Sequence, residues 1–104
     1  MTPEDAAARS DLHLLDVREP DEWQAGHIAG AQHIPLGELR ERLGEIPKDR
    51  KVLAVCRSGS RSEAAMRGLR TLGYTVENLE GGMTAWKRAG LPIEAEGGAP
   101  GRVI

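Results

Sequence analysis

A junction near the middle of the chain restricts the fold more than any other feature. Lys51–Val55 (KVLAV) is an almost wholly apolar run, and short runs of that kind between turn signals read as buried strands. A loop begins at Cys56, and beyond it Ser62, Ala65, Leu69 and Leu72 share one helical face up to Gly73. On the opposite face Glu63 and Arg67 stand four residues apart with the favourable polarity for a helix. Strand, loop and helix in that order recur along the chain. Leu12–Val17 (LHLLDV) is a second apolar run and Tyr74–Leu79 (YTVENL) alternates as a third strand. Thr2-Pro3-Glu4-Asp5 carries the cap, proline and acids of a helix start, and Pro20–Ala25 (PDEWQA) repeats that chemistry before stopping at Gly26. Leu36, Leu39 and Leu43 form a helical stripe closed by Gly44 and Pro47, and Met83–Ala89 is a last helix stopped by Gly90 and Pro92. Gly68, inside the helix after Cys56, predicts a close approach to a sheet. The alternation predicts an α/β fold, a mostly parallel sheet of about four or five strands with helices on both faces.

Length and charge narrow the class. The chain has 104 residues, enough for one domain whose core needs no metal or disulfide. We expect that domain over residues 1–93 and a fraying tail over 94–104, where the sequence EAEGGAPGRVI is rich in Gly, Pro and Ala. No apolar run approaches the ~20 residues of a membrane span, and Met1–Ser10 has no apolar leader core. The expectation is a soluble, cytoplasmic protein. Fourteen Lys/Arg against 16 Asp/Glu leave no basic field to attract nucleic acid. Two Trp, one Tyr and no Phe leave no platform for stacking bases. One Cys and three scattered His, at 13, 27 and 33, argue against a metal site. No nucleotide-binding glycine pattern occurs, and no cofactor is expected.

The loop Cys56-Arg57-Ser58-Gly59-Ser60-Arg61-Ser62 places its thiol at the carboxyl end of a strand, where open α/β sheets hold their ligands. One Gly and three Ser let the backbone N–H groups converge on an anion, and the following helix adds its positive end. Arg57 and Arg61 add two cations. A lone cysteine is usually a buried, inert hydrophobe. Arg, Ser and Gly neighbours instead describe a thiol whose pKa is depressed and which acts as a nucleophile. Arg61 also suits a bracing role, through its planar fork.

Other residues carry weaker signals. Asp16 and Arg18 end the first strand on the same sheet edge, and either support the active loop from behind or close the turn at Pro20. The structural role is favoured. His27 is read as a local hydrogen-bond bracket in preference to a general base. Trp86 is read as core, Met83 as reaching the pocket rim, and Glu80 as a partner for Arg61. Ser58 and Ser60 lack the G-x-S-x-G elbow of serine hydrolases.

Four segments together resemble the rhodanese domains, sulfurtransferases that carry a persulfide on cysteine. These are Leu15-Asp16-Val17-Arg18-Glu19, then Gly26-His27-Ile28-Ala29-Gly30-Ala31 with Ile34-Pro35, then Cys56–Ser62, then Leu79-Glu80-Gly81-Gly82-Met83 with Trp86 and Gly90-Leu91-Pro92. In order they span roughly residues 2–93. The resemblance implies a rhodanese fold and a Cys56 thiolate that takes sulfur from a small anionic donor such as thiosulfate. A thiol, cyanide or a sulfur-accepting protein would then receive it. It also implies that the backbone from Arg57 to Arg61, through Ser58, Gly59 and Ser60, cradles the persulfide, with Arg57 holding the donor. The spacing from Cys56 to Arg61 is C-x4-R. Phosphatases of the related fold use C-x5-R, so a phosphatase or arsenate reductase is disfavoured. A persulfide relay or binding module that delivers sulfur to a partner protein stays open as the alternative.

Overall fold

The computed structural model describes residues 1–104. The elements in chain order are α1 (Pro3–Ala7), β1 (His13–Asp16), α2 (Pro20–Ala25), β2 (Gln32–His33), two 3-10 segments (Leu36–Glu38 and Arg40–Glu45), β3 (Val52–Val55), α3 (Ser60–Thr71), β4 (Val76–Asn78) and α4 (Gly82–Arg88). The four strands form one sheet in the order β2-β1-β3-β4, and every pairing is parallel. The sheet lies at the predicted four to five strands, and β2, which carries no apolar run, is its short edge.

The central strand shows why the sheet is covered on both sides. Val52, Ala54 and Cys56 enter one buried cluster, with Ala65 and Leu69 of α3, Leu15, Ile34 and Tyr74. Leu53 and Val55 enter the other, with Ala6 of α1 and Leu79, Met83 and Trp86. A strand buried on both faces has no polar side, which is why this run reads as continuous apolar sequence. Each buried Val, Leu, Ile or Met among them contributes about 1.5–3 kcal/mol by leaving water.

Local chemistry sets the helix ends. Thr2 Oγ1 accepts from the Asp5 N–H at 3.1 Å and caps α1. In α2 the Glu22 carboxylate reaches back to the Glu19 N–H at 3.0 Å, half of a capping box. The leucine stripe expected as one helix over 36–43 instead forms the two 3-10 segments, with Arg42 at φ −118 and ψ 19. Gly37 and Gly44 lower helix propensity at both ends of a short segment, and only Leu39 of the three leucines is buried. Gly68 does not approach the sheet: a β-carbon there would meet nothing within 4 Å. It faces an open groove lined in part by Leu36, Leu39, Ala64 and Leu72.

Arg18 is the largest fully buried side chain. Its guanidinium donates to both oxygens of Asp16, with Nη2 at 2.8 Å from Oδ2 and Nε at 3.0 Å from Oδ1. It also donates to the Gly26 carbonyl at 2.7 Å and the Glu22 carbonyl at 3.3 Å. The pair therefore fastens the last turn of α2 to the end of β1. Beyond Ile93, where composition predicts fraying, the chain runs back beside α2. His27 and Glu94 exchange N–H···O bonds of 2.9 Å, and the Arg102 N–H donates to Ala25 O at 2.9 Å.

Arg18→Met should cost about 3–5 kcal/mol, because it leaves the Asp16 carboxylate buried without its counter-charge and with only the residue 18 N–H as donor. Urea unfolding monitored by circular dichroism measures it. The double variant Asp16→Leu/Arg18→Met should recover part of that loss.

Candidate active site

Cys56 follows β3 at the carboxyl edge of the sheet and is fully buried within the protein. The chain then curls: Gly59 adopts φ +108, a left-handed conformation that a side chain would strain. That curl aims the Gly59 N–H at Cys56 Sγ, 3.0 Å away. Ser62, in the first turn of α3, places its hydroxyl oxygen 3.2 Å from the same sulfur. Burial pushes the Cys56 thiol pKa up. The Ser62 hydroxyl and the N–H groups of Ser62, Gly59 and Ser58 more than offset it, and the net pKa is lowered. The depression expected from the sequence is present, with neutral donors as its source.

The two arginines stand elsewhere. Arg61 forks onto Glu22 of α2, with Nη1 at 2.7 Å from Oε1 and Nη2 at 2.9 Å from Oε2. Arg57 is exposed at the loop mouth, and its Nε donates to Ile104 O at 2.8 Å. Ser58 and Ser60 are also exposed. Arg61 does not pair with Glu80, whose carboxylate lies 2.7 Å from the Met1 amino group.

The loop is held from beneath by α4. The Met83 N–H donates to the Cys56 carbonyl at 2.8 Å and the Thr84 N–H to the Arg57 carbonyl at 3.0 Å. Gly82, at φ +58, permits this approach, since a β-carbon there would lie 2.7 Å from the Arg57 carbonyl carbon and oxygen. The Met83 side chain does not reach a pocket rim. It is fully buried with Leu53, Val55 and Trp86, because its position in α4 turns it to the sheet. Trp86 is core, its Nε1 donating to Pro92 O at 2.8 Å.

Asp16 stands in register with Val55, one residue before the thiol, but it is spent on Arg18. Asp16 and Arg18 reach the loop only through α2 and Glu22. His27 is a bracket: its Nδ1 meets the Trp23 carbonyl at 2.8 Å and its ring stacks on Trp23.

Two residues of the site, Glu22 and Asn78, escape sequence reasoning as active-site members, and Ser62, counted in the loop, is given no role of its own at the sulfur. Asn78, at the end of β4, donates from Nδ2 to the Gly59 carbonyl at 2.9 Å and lies 2.5 Å from Ser62 Oγ. The available signal is a polar residue at a buried position: Ser62 on the apolar stripe of α3, Asn78 at the carboxyl end of a strand. The largest groove, about 800 Å³, lies between α3 and the 3-10 segments, and none of its lining residues belongs to the Cys56–Ser62 loop.

The Arg61 fork holds the Glu22 carboxyl down to about 2, against 4.5 when free. A carboxyl lowered on folding adds stability that is complete above its free pKa and is lost as pH falls through its folded one. Glu22→Gln should therefore unfold at lower urea than the parent at neutral pH. The gap should narrow below about pH 4.5 and close near pH 2; a gap that does not change with pH would refute this coupling.

Comparison with known proteins agrees with this geometry. The model of the Rhodanese-like domain matches residues 2–89. A sulfurtransferase of Allochromatium vinosum is 46% identical over 93 residues, covering 88% of this chain and 87% of that protein. An HTH-type transcriptional regulator of Mycobacterium tuberculosis is 43% identical over 110 residues, covering 95% of this chain. This chain spans about half of that regulator's length, 48%. The crystal structure of a rhodanese-related protein from Thermoplasma volcanium superposes with a TM-score of 0.90 at 36% identity, covering 92% of this chain and 97% of that one. With its family's domain matched from the first helix into the last, this chain belongs to the rhodanese-like domain family.

Proposed function

We propose that this protein is a sulfurtransferase in which Cys56 carries the sulfur. The observation that supports this most is the convergence of the Gly59 N–H and the Ser62 hydroxyl on Cys56 Sγ. Hydrogen-bond donors fixed around a sulfur stabilise its anion. They favour a thiolate before the reaction and an anionic persulfide after it. The sulfurtransferase of Allochromatium vinosum, matched over most of its length, agrees with the reading.

The donor is a small anion such as thiosulfate. Cys56 thiolate attacks its outer sulfur, the S–S bond breaks, and sulfite leaves with the bonding pair. The Cys56 persulfide rests among the backbone N–H groups from Arg57 to Arg61. A thiol or cyanide then attacks the terminal sulfur and the thiolate is restored. The two half-reactions alternate in ping-pong fashion. Cys56 is the sole cysteine, so no second thiol of this chain takes the sulfur. Asp16, Arg18 and Met83 act behind the loop as supports. Arg57, with its guanidinium at the mouth, orients the donor; Arg61, held by Glu22, braces the loop. The loop spacing of C-x4-R argues for sulfur over phosphate chemistry.

Intact mass of the reduced protein should rise by one sulfur on adding thiosulfate and fall back on adding cyanide, with thiocyanate released. Cys56→Ser should keep the fold and lose this gain entirely. Persulfide formation without turnover on free acceptors would favour the relay module. In steady-state assays Arg57→Ala should raise KM for thiosulfate about tenfold, the scale of one charged hydrogen bond. Its kcat should change little, and a loss confined to kcat would remove Arg57 from donor binding.

A further inference from the structure

Ser62 has one hydroxyl hydrogen and three acceptors within reach. Asn78 Oδ1 lies at 2.5 Å, Cys56 Sγ at 3.2 Å and the Gly59 carbonyl at 3.3 Å. Ser62 is fully buried, so solvent does not relieve the competition. The orientation of the Asn78 amide is fixed independently, because the Gly59 carbonyl, which only accepts, takes its Nδ2 at 2.9 Å. The amide oxygen must therefore face Ser62. The shortest contact belongs to that oxygen, at the near end of the range for O–H···O bonds.

We propose that Asn78 is a positioning residue that keeps the Ser62 hydroxyl hydrogen on its own Oδ1 while Cys56 is a thiol, and releases it to swing onto Sγ when the sulfur becomes an anion. In the thiol state S–H donates to the free lone pair of Ser62 Oγ, and the hydroxyl donates onward to Asn78. In the thiolate state the S–H proton has left, the hydroxyl turns to the sulfur, and Asn78 Oδ1 loses its donor. No proton passes between Ser62 and Asn78 in either state. Asn78 thus favours the thiol, against the pull of the loop N–H groups. Such a brake has chemical use, since a thiolate loses nucleophilicity as its pKa falls and attacks best when that pKa lies near ambient pH. The inference rests on Cys56 being the reacting thiol.

The charged groups around the loop, none of them bonded to the sulfur, are Arg57 and Arg61 in the loop, Glu22 on Arg61 from α2, and the Asp16–Arg18 pair at the end of β1. All are common to the variants compared below. The test is the pH profile of Cys56 alkylation by iodoacetamide in the full chain, with circular dichroism confirming the fold. Asn78→Ala and the similarly sized Asn78→Leu should each lower the Cys56 pKa by about half a unit to one unit, or about three- to tenfold more thiolate below it. Ser62→Ala should raise it. Adding Asn78→Ala to Ser62→Ala should then change nothing further, because the effect acts through Ser62.

A merely structural Asn78 gives the opposite sign, since a loosened loop loses its grip on the thiolate. A folded Asn78 variant with an unchanged or raised pKa overturns the proposal, as does an effect that survives Ser62→Ala. In the unmodified protein the Asn78 side-chain amide resonances should shift with the same midpoint as Cys56 alkylation, and a flat titration overturns it equally. Alkylation needs no sulfur donor. Failure to accept sulfur from thiosulfate therefore counts against the sulfurtransferase reading and leaves this result to stand or fall separately.

Discussion

The active loop depends on a guanidinium that never touches it. Arg18 is buried against Asp16 and takes two carbonyls from the end of α2. A buried charge is tolerable only when its donors are matched, and here the fork of Arg18 meets four oxygens across two elements. One of these contacts supplies a donor to the Gly26 carbonyl just past α2, and the other adds to the Glu22 carbonyl, which also accepts from the Gly26 N–H at 3.4 Å. With α2 fixed in this way, Glu22 stands where it can grip Arg61, and Arg61 belongs to the loop. The path from β1 to the loop runs through the Asp16–Arg18 pair, the Arg18 bonds to two carbonyls at the end of α2 and the Glu22–Arg61 pair.

A second constraint concerns the sulfur itself. Both arginines of the loop suggest a cationic pocket, yet one is neutralised by Glu22 and the other stands at the mouth. What faces Sγ is a peptide N–H and a hydroxyl. Fixed dipoles inside a buried site are little screened by salt, whereas exposed cations are. The hydrogen bonds at the sulfur are thus insulated from ionic strength, while the exposed charge of Arg57 is open to it.

Much of this was legible in the sequence where the signal is local. The apolar run of β3, the proline and acids opening α2, and the Ser-Gly-Ser loop after Cys56 each encode their structure within a few residues. The resemblance of four ordered segments pointed to the family and the fold. Pairings across distance were not legible. Glu22 and Arg61 lie 39 positions apart and Ser62 and Asn78 lie 16 apart, and no periodicity links them. Glu80 seemed a partner for Arg61 from charge alone, and Glu22 won because Arg18 holds α2 against the loop. Met83 was misplaced for a related reason: its backbone serves the loop while its side chain serves the core. Gly68 shows the converse failure, since a missing side chain marks an open groove as readily as a tight contact.

The approach of Gly82 to the Cys56 and Arg57 carbonyls separates two tasks that many enzyme loops combine. Peptide groups of α4 hold the curve of the loop, and the outward side chains of Arg57, Ser58 and Ser60 take no part in holding it. Those three side chains are therefore independent of the curve. Outward side chains can be exchanged while the curve around the sulfur stays as it is. The glycine beneath is the position that cannot vary without ending that freedom.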